Sequence, residues 1–415
     1  MKRIAVIGAG ISGLSIAHML HDKYEVTIYE AADTIGGLIR CERINGSLFH
    51  TCGGHVFNTN KQVVLDWFWN LFDKDKDFQL AERNSVIFMP DGQKIPYPIE
   101  NYIYLLPEQY QKAVIKELMS LSLEQQNNCS NFKEFLQKRF GKTLYEIYFK
   151  PYNEKIWRSD LSTIPLDWLE GKLPMPQVED ILYNNFNHVV EHHFVHSTFY
   201  YEKNDGSQFL VNRLAKGQNI HVSTPITSLR YENPYWIVCD ERYDMVVFCG
   251  NIRNLPDIVE GLNLQPWVNE IRNLQSHGTT TVFCEIEQNP YSWIYLPDSN
   301  YQAHRIICTG NFARSNNAEG HFTGTIEFTD EITKEDILCQ LEKLPLHPKY
   351  ITHRYNPFTY PIQNKETRAM LQSLKQAMTH HQLYMTGRFV DWEYYNMDAA
   401  IFAAMQTVDL ITQKN

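Results

Sequence analysis

The chain has 415 residues, 43% hydrophobic and 13% aromatic, which is enough for more than one buried core. Its 38 basic and 48 acidic side chains leave a net charge of −10, which argues against a phosphate-backbone binder, so no nucleic-acid partner is expected. The eight cysteines (41, 52, 129, 239, 249, 284, 308 and 339) form no CxxC pair, and neither a signal peptide nor an apolar stretch of membrane-spanning length is seen, so a cytoplasmic protein with reduced thiols and no stable membrane insertion is expected.

Residues 2–7 read as a buried strand, Gly8, Gly10 and Gly13 as a GxGxxG turn, and residues 12–20 as a helix. The amides around Ile11, Ser12 and Gly13 and the helix dipole then face an anion, as a pyrophosphate cradle requires. Residues 24–29 read as a second parallel strand, ending at Glu30, where an acid would hydrogen-bond a ribose hydroxyl. A second glycine turn follows at Gly36 and Gly37, with Leu38 beside it. Glu30 with Gly36-Gly37 resembles the FAD-dependent family that includes amine oxidases and UDP-galactopyranose mutases, so FAD is the expected cofactor. No second GxGxxG occurs, which argues against a dedicated nicotinamide domain.

Farther along, residues 43–49 read as strand and hairpin, 51–60 as a glycine-rich loop, 61–72 as a helix and 85–89 as a strand before the Asp91-Gly92 turn. Beyond Pro96 and Pro98 the spacing becomes helical, including 108–121 and 131–139. From 188 it becomes strand-like again, and 243–249 reads as a strand returning to the first sheet. The segments 279–287, 293–298, 304–310 and 324–331 alternate between short polar turns, as in an antiparallel sheet. The chain closes with a strand, a glycine turn and an amphipathic helix (384–411). The expected fold class is α/β. It comprises a discontinuous Rossmann-like FAD-binding domain (1–90, 205–265, 365–415), an inserted helical domain (95–172) and an antiparallel-sheet substrate domain (175–204, 270–362).

Five separated blocks together resemble the flavin-dependent UDP-galactopyranose mutases. GGHVFNTN (53–60) is similar to their GxHxFHTN loop, which lies against the flavin ring, with Gly54 and His55 at its centre. IPYPIEN (95–101), the segment 132–157 ending in PYNEKIW, PFTYPIQN (357–364) and GRFVDWEYYNM (387–397) follow in the family's order. The resemblance implies a pyranose/furanose mutase that serves cell-surface polysaccharide with galactofuranose or a related sugar. In that chemistry N5 of reduced FAD attacks the anomeric carbon of a nucleotide sugar, the nucleoside diphosphate leaves and returns, and there is no net redox. A nucleotide-sugar substrate and an external reductant, NAD(P)H or a reductase, are the implied partners.

The resemblance also implies roles. Arg305 and Lys172 match cationic positions for the diphosphate, where guanidinium suits phosphate oxygens best. Arg388 matches an arginine near the flavin that stabilises its anionic reduced form, and Asn396 and Met397 open a helix whose amides meet the flavin pyrimidine. Tyr152 and Trp157 match positions that stack on uracil and line the sugar pocket; Tyr360 and Tyr394 match tyrosines that contact the diphosphate. With Arg305, Lys172 and Arg388, His55 completes the candidate catalytic set.

Three departures leave the sugar and the nucleotide open. His277 stands where bacterial mutases carry an arginine, Asp205-Gly206 replaces paired glycines, and Asp391 and Asn396 replace other polar residues. His192, His193 and His196 lie in a strand-like run without completing ligands, so no metal is expected. Cys52 reads as a small buried side chain of the flavin loop rather than a nucleophile. The competing enzyme reading is an FAD-dependent oxidase or dehydrogenase of the amine oxidase type, and the third is a noncatalytic FAD-binding protein. The sequence is silent on oligomeric state.

Overall fold

The structure, a computed structural model, describes residues 1–121, 129–166, 169, 176–189 and 197–413. Arg3–Ile7 is the central strand of a five-stranded parallel sheet, ordered Leu383–Met385, Met245–Phe248, Arg3–Ile7, Glu25–Tyr29 and Asn219–His221. Met245–Phe248 is buried throughout and Arg3–Ile7 after its first residue, which is why these segments are continuous apolar runs rather than alternating ones. Helices Ile11–Leu20 and Met397–Gln413 pack together in the core on one face. The other face is filled by Trp236, Leu371, Leu374 and Trp392 from a small four-stranded sheet, helix Thr367–Thr379 and the C-terminal glycine turn.

A seven-stranded sheet holds the second core, in the order Lys349–Ile362, Gln275–Glu285, Thr323–Thr329, Arg305–Ile307, Trp293–Tyr295, Ser85–Phe88 and Lys94–Pro96. Its pairings are antiparallel except for Trp293–Tyr295 against Ser85–Phe88, which run parallel. Helices Glu108–Ser120, Phe132–Leu144, Lys150–Trp157 and Val178–Phe186 form the insert, whose buried Phe132, Leu136, Phe140 and Tyr148 join the core beneath this sheet. Lys155 fastens the insert by donating to the carbonyls of Leu296 (2.7 Å), Ala303 (3.3 Å) and Asp298.

Two groupings made from alternation differ from the pairing. Residues 85–90 are expected with the dinucleotide unit, yet Ser85–Phe88 joins the seven-stranded sheet. Residues 175–204 are expected with that sheet, yet Thr198–Glu202 pairs with Phe78–Glu82 in a separate ribbon. Period-2 spacing identifies a strand and its buried face but carries no information about which edge it joins. Residues 190–196, with His192, His193 and His196, lie outside the described residues. Among the described residues no helix is long and apolar enough to cross a membrane, and no cluster of three metal-ligating side chains occurs.

Candidate active site

A cavity of about 950 Å³ opens at the C-terminal ends of the parallel strands and reaches the seven-stranded sheet. Its first half is the glycine cradle. Gly8 (φ +107) turns the chain out of the first strand, and its amide donates to the Tyr29 carbonyl at 2.7 Å. Gly13 must lack a side chain, since a Cβ there would lie 2.0 Å from the Gly8 carbonyl oxygen. The two glycine turns touch: the Gly36 amide donates to the Ala9 carbonyl at 2.9 Å, and Gly10 bridges Gly36. Glu30 fixes this junction, accepting from the amides of Ala9 (2.7 Å) and Ala32 (2.9 Å). A Cβ on Gly10, by contrast, would meet nothing within 4 Å, because the space above it belongs to the cavity. Ile11, Ser12, Leu38, Asn396 and Met397 line the same half.

The second half begins with the loop that carries Gly54 and His55. His50, fully buried beneath it, accepts the His55 amide at Nδ1 (3.3 Å). That bond assigns the ring proton to Nε2, which faces the Tyr201 hydroxyl at 2.8 Å. Burial pushes the pKa of His50 down to about 3 and that of His55 to about 4, so both rings are neutral at pH 7. Glu327, buried in strand Thr323–Thr329, accepts the Gly53 amide at 2.7 Å with one oxygen and the Arg305 Nε with the other. Burial opposes ionisation of Glu327, but Arg305 and the neighbouring His304 outweigh it and hold the carboxyl well below its ordinary range. A fixed anion therefore ties the loop to a fixed cation.

Arg305 also donates to the Tyr360 hydroxyl at 3.3 Å, and Tyr360 stacks on Tyr394 with ring centroids 5.4 Å apart. The Arg388 guanidinium lies 4.3 Å from the Tyr394 ring centroid and donates to the carbonyls of Tyr395 (3.0 Å) and Thr359. Its Nε, like Nε2 of His55, is buried without a hydrogen-bond partner among the described residues, although both side chains line the cavity. Orphaned polar atoms on a cavity wall suit a polar ligand, and with the open space over Gly10 they suit a dinucleotide whose ring system lies against this loop.

All fourteen residues read as cofactor-binding line this cavity, as do Arg305, Tyr360 and Tyr394. Tyr152 and Trp157 stand one ring away: Tyr152 packs edge-on against Tyr295 (5.4 Å) and Trp157 edge-on against Tyr360 (6.2 Å), and both partners line the cavity. Lys172 lies outside the described residues. Asp391, one of the departures, is an internal brace that accepts the Gly387 amide (3.0 Å) and the buried end of Lys375, shaping the turn that presents Arg388. Glu327, Arg83, Tyr295 and His50 were missed. Glu327 stands in the strand TGTIEFT, whose seven residues are all buried although four of them are polar, and nothing in the sequence marks Arg83, which is clamped over Trp293 and bonded to the Tyr295 hydroxyl.

Similarities to known proteins agree with this geometry. The chain is 23% identical to the dTDP-fucopyranose mutase of Escherichia coli over the whole of both chains. It is 31% identical to the UDP-galactopyranose mutase of Mycoplasma genitalium over 169 residues, 37% of this chain and 39% of the relative. The crystal structure of a reduced UDP-galactopyranose mutase superposes with a TM-score of 0.87 at 20% identity, covering 100% of this chain and 96% of the other. Residues 11–412 match the family described as flavin containing amine oxidoreductase. The chain is therefore an FAD-binding member of the flavin containing amine oxidoreductase family, with flavin mutases among its relatives.

Proposed function

We propose that the protein is a nucleotide-sugar pyranose/furanose mutase that works with reduced FAD and without net redox. The observation that carries this reading is the Arg305–Glu327 pair, a guanidinium held in place by a buried carboxylate and aimed, with Tyr360 and Tyr394, into the cavity that the cofactor cradle opens. When bound, reduced FAD supplies the nucleophile for the anomeric carbon. The chain's own groups do the rest. Arg305 and the two tyrosine hydroxyls hold the diphosphate as its bond to the sugar breaks, and keep it oriented for return. Arg388 places a positive charge beside the loop of Gly54 and His55, where a reduced flavin is anionic. His55, neutral and facing the cavity, offers a proton acceptor or donor without adding charge. An amine substrate would meet a fixed guanidinium here, which disfavours the oxidase reading.

The full-length similarity to a dTDP-fucopyranose mutase makes a dTDP-linked 6-deoxyhexose as fitting a substrate as UDP-galactopyranose. Anaerobic proton NMR of the dithionite-reduced, FAD-loaded protein with both sugars tests the proposal. Conversion to an isomer of equal mass with the flavin still reduced supports it and names the sugar. Turnover only with an amine or alcohol and an electron acceptor would replace it with the oxidase reading.

A further inference from the structure

We infer that His277 is a positioning residue of the substrate half: its imidazole, set between Asp330 and the main-chain carbonyl of Trp157, clamps the Trp157 end of the helical insert to the strand that faces Tyr360. The inference rests on reading this cavity as the substrate site.

The ring lies between two acceptors. Nδ1 is 3.0 Å from both carboxylate oxygens of Asp330, and Nε2 is 2.7 Å from the main-chain carbonyl of Trp157. A neutral imidazole has one N–H and one lone pair, so it can satisfy only one of these partners and must set its lone pair against the other oxygen. The doubly protonated ring donates to both. Asp330 is held for this: it sits at φ +63, accepts the Gly278 amide at 3.0 Å, and donates its own amide to the Gly278 carbonyl at 2.9 Å. The remaining charged and titratable groups around the ring are Arg158, 3.8 Å from Asp330, Glu331 next in the chain, and Tyr355 and Tyr360 on the adjacent strand.

The clamp reaches the cavity wall from two directions. Through Trp157 it sets the indole that packs edge-on against Tyr360. Through the main chain, His277 is the register partner of Tyr360, and its carbonyl accepts from the hydroxyl of Thr359, whose own carbonyl supports Arg388. Loss of the His277 clamp therefore frees Trp157 from behind Tyr360 without touching the glycine cradle, and the effect should fall on substrate affinity rather than on the chemical step.

Selective nitrogen-15 labelling of histidine, with His277 assigned by its disappearance in His277→Gln, reads the ring directly. A hydrogen bond at each ring nitrogen is expected; a ring nitrogen without one overturns the inference whatever the enzyme does. KM for the converted nucleotide sugar, or Kd for UDP and dTDP where no isomerisation is seen, is then compared between wild type and two variants. His277→Gln, whose N–H donors sit on a single nitrogen and do not span acceptors at the two ends of the ring, should be weaker by about tenfold with kcat nearly unchanged, and His277→Arg, which has donors for both acceptors, should recover affinity. Unchanged affinity in His277→Gln, or an equal fall in kcat, sinks the inference. Absence of any isomerase activity beside a ring bonded at both nitrogens and the Kd pattern would instead sink the mutase reading alone.

Discussion

Arg305 and Glu327 are register partners on adjacent antiparallel strands, and the same carboxylate that receives Arg305 also receives the amide of Gly53. One buried charge thus couples the Arg305 cation on the cavity wall with the loop that carries Gly54 and His55.

Breaking this pair on one side should cost more than removing it. Arg305→Ala leaves Glu327 buried and uncompensated, with an expected loss of about 3–5 kcal/mol, whereas Arg305→Met with Glu327→Leu should regain part of that stability, less about 1–3 kcal/mol for the orphaned Gly53 amide, while turnover stays lost. Urea midpoints of the three proteins test this. Because the folded pKa of Glu327 is depressed, its stabilisation is present above the ordinary carboxyl pKa and disappears as pH falls through the folded value. An Arg305→Ala protein as stable as wild type would mean that the pair contributes nothing.

His50 gives a second pH signature, of different origin. Its folded pKa lies at about 3, below the ordinary imidazole value, because burial penalises the charged ring. The unfolded chain therefore binds a proton that the folded chain refuses, and stability should fall by about 1 kcal/mol per pH unit from roughly pH 6.5 downward. His50→Gln should flatten this slope in denaturation curves taken between those limits. The same variant keeps an acceptor near the His55 amide, so FAD binding should survive in part.

The cofactor half is legible in its geometry because it is local: Gly8, Gly10, Gly13, Glu30, Gly36 and Gly37 lie within one strand-turn-helix-strand unit and come together at one end of the cavity. The substrate half is assembled across long sequence distances. Glu327 becomes functional only because Arg305 is opposite it and Gly53 above it, and Arg83 only because a parallel pairing brings Trp293 beside Ser85. Alternation identifies such strands but cannot order them, which is also why the pairing of Thr198–Glu202 with Phe78–Glu82 is not readable from the sequence. Trp157 shows the remaining gap: motif order indicated that it belongs near the site, while its contact through Tyr360 needed coordinates.

Gly10 and Gly13 should separate binding from folding. Alanine at Gly13 drives a Cβ into the Gly8 carbonyl, so Gly13→Ala should be markedly destabilised even without cofactor. Alanine at Gly10 meets only open cavity, so Gly10→Ala should melt like wild-type apoprotein yet bind FAD at least tenfold more weakly, the methyl occupying space the pyrophosphate needs. Thermal melts with and without added FAD make the comparison. Equal FAD-induced stabilisation of wild type and Gly10→Ala would place the cofactor elsewhere.

Arg388 should matter for its shape as well as its charge. Its two terminal nitrogens are committed to the carbonyls of Thr359 and Tyr395, and its plane covers Tyr394, so Nε is the atom left for a ligand. Lysine keeps the charge but cannot make two backbone bonds, stack, and present a further donor at once. Arg388→Lys should therefore weaken FAD binding by at least tenfold, since a hydrogen bond from a charged donor contributes about 1.5–3 kcal/mol. The bound flavin in that variant should also be harder to reduce, because a less well aimed cation stabilises the added electrons less. Flavin fluorescence titration reads the first effect and a dye-equilibrated potential the second. A variant with wild-type affinity but a lowered potential would assign Arg388 to the flavin's charge alone, and wild-type values of both would remove it from the site.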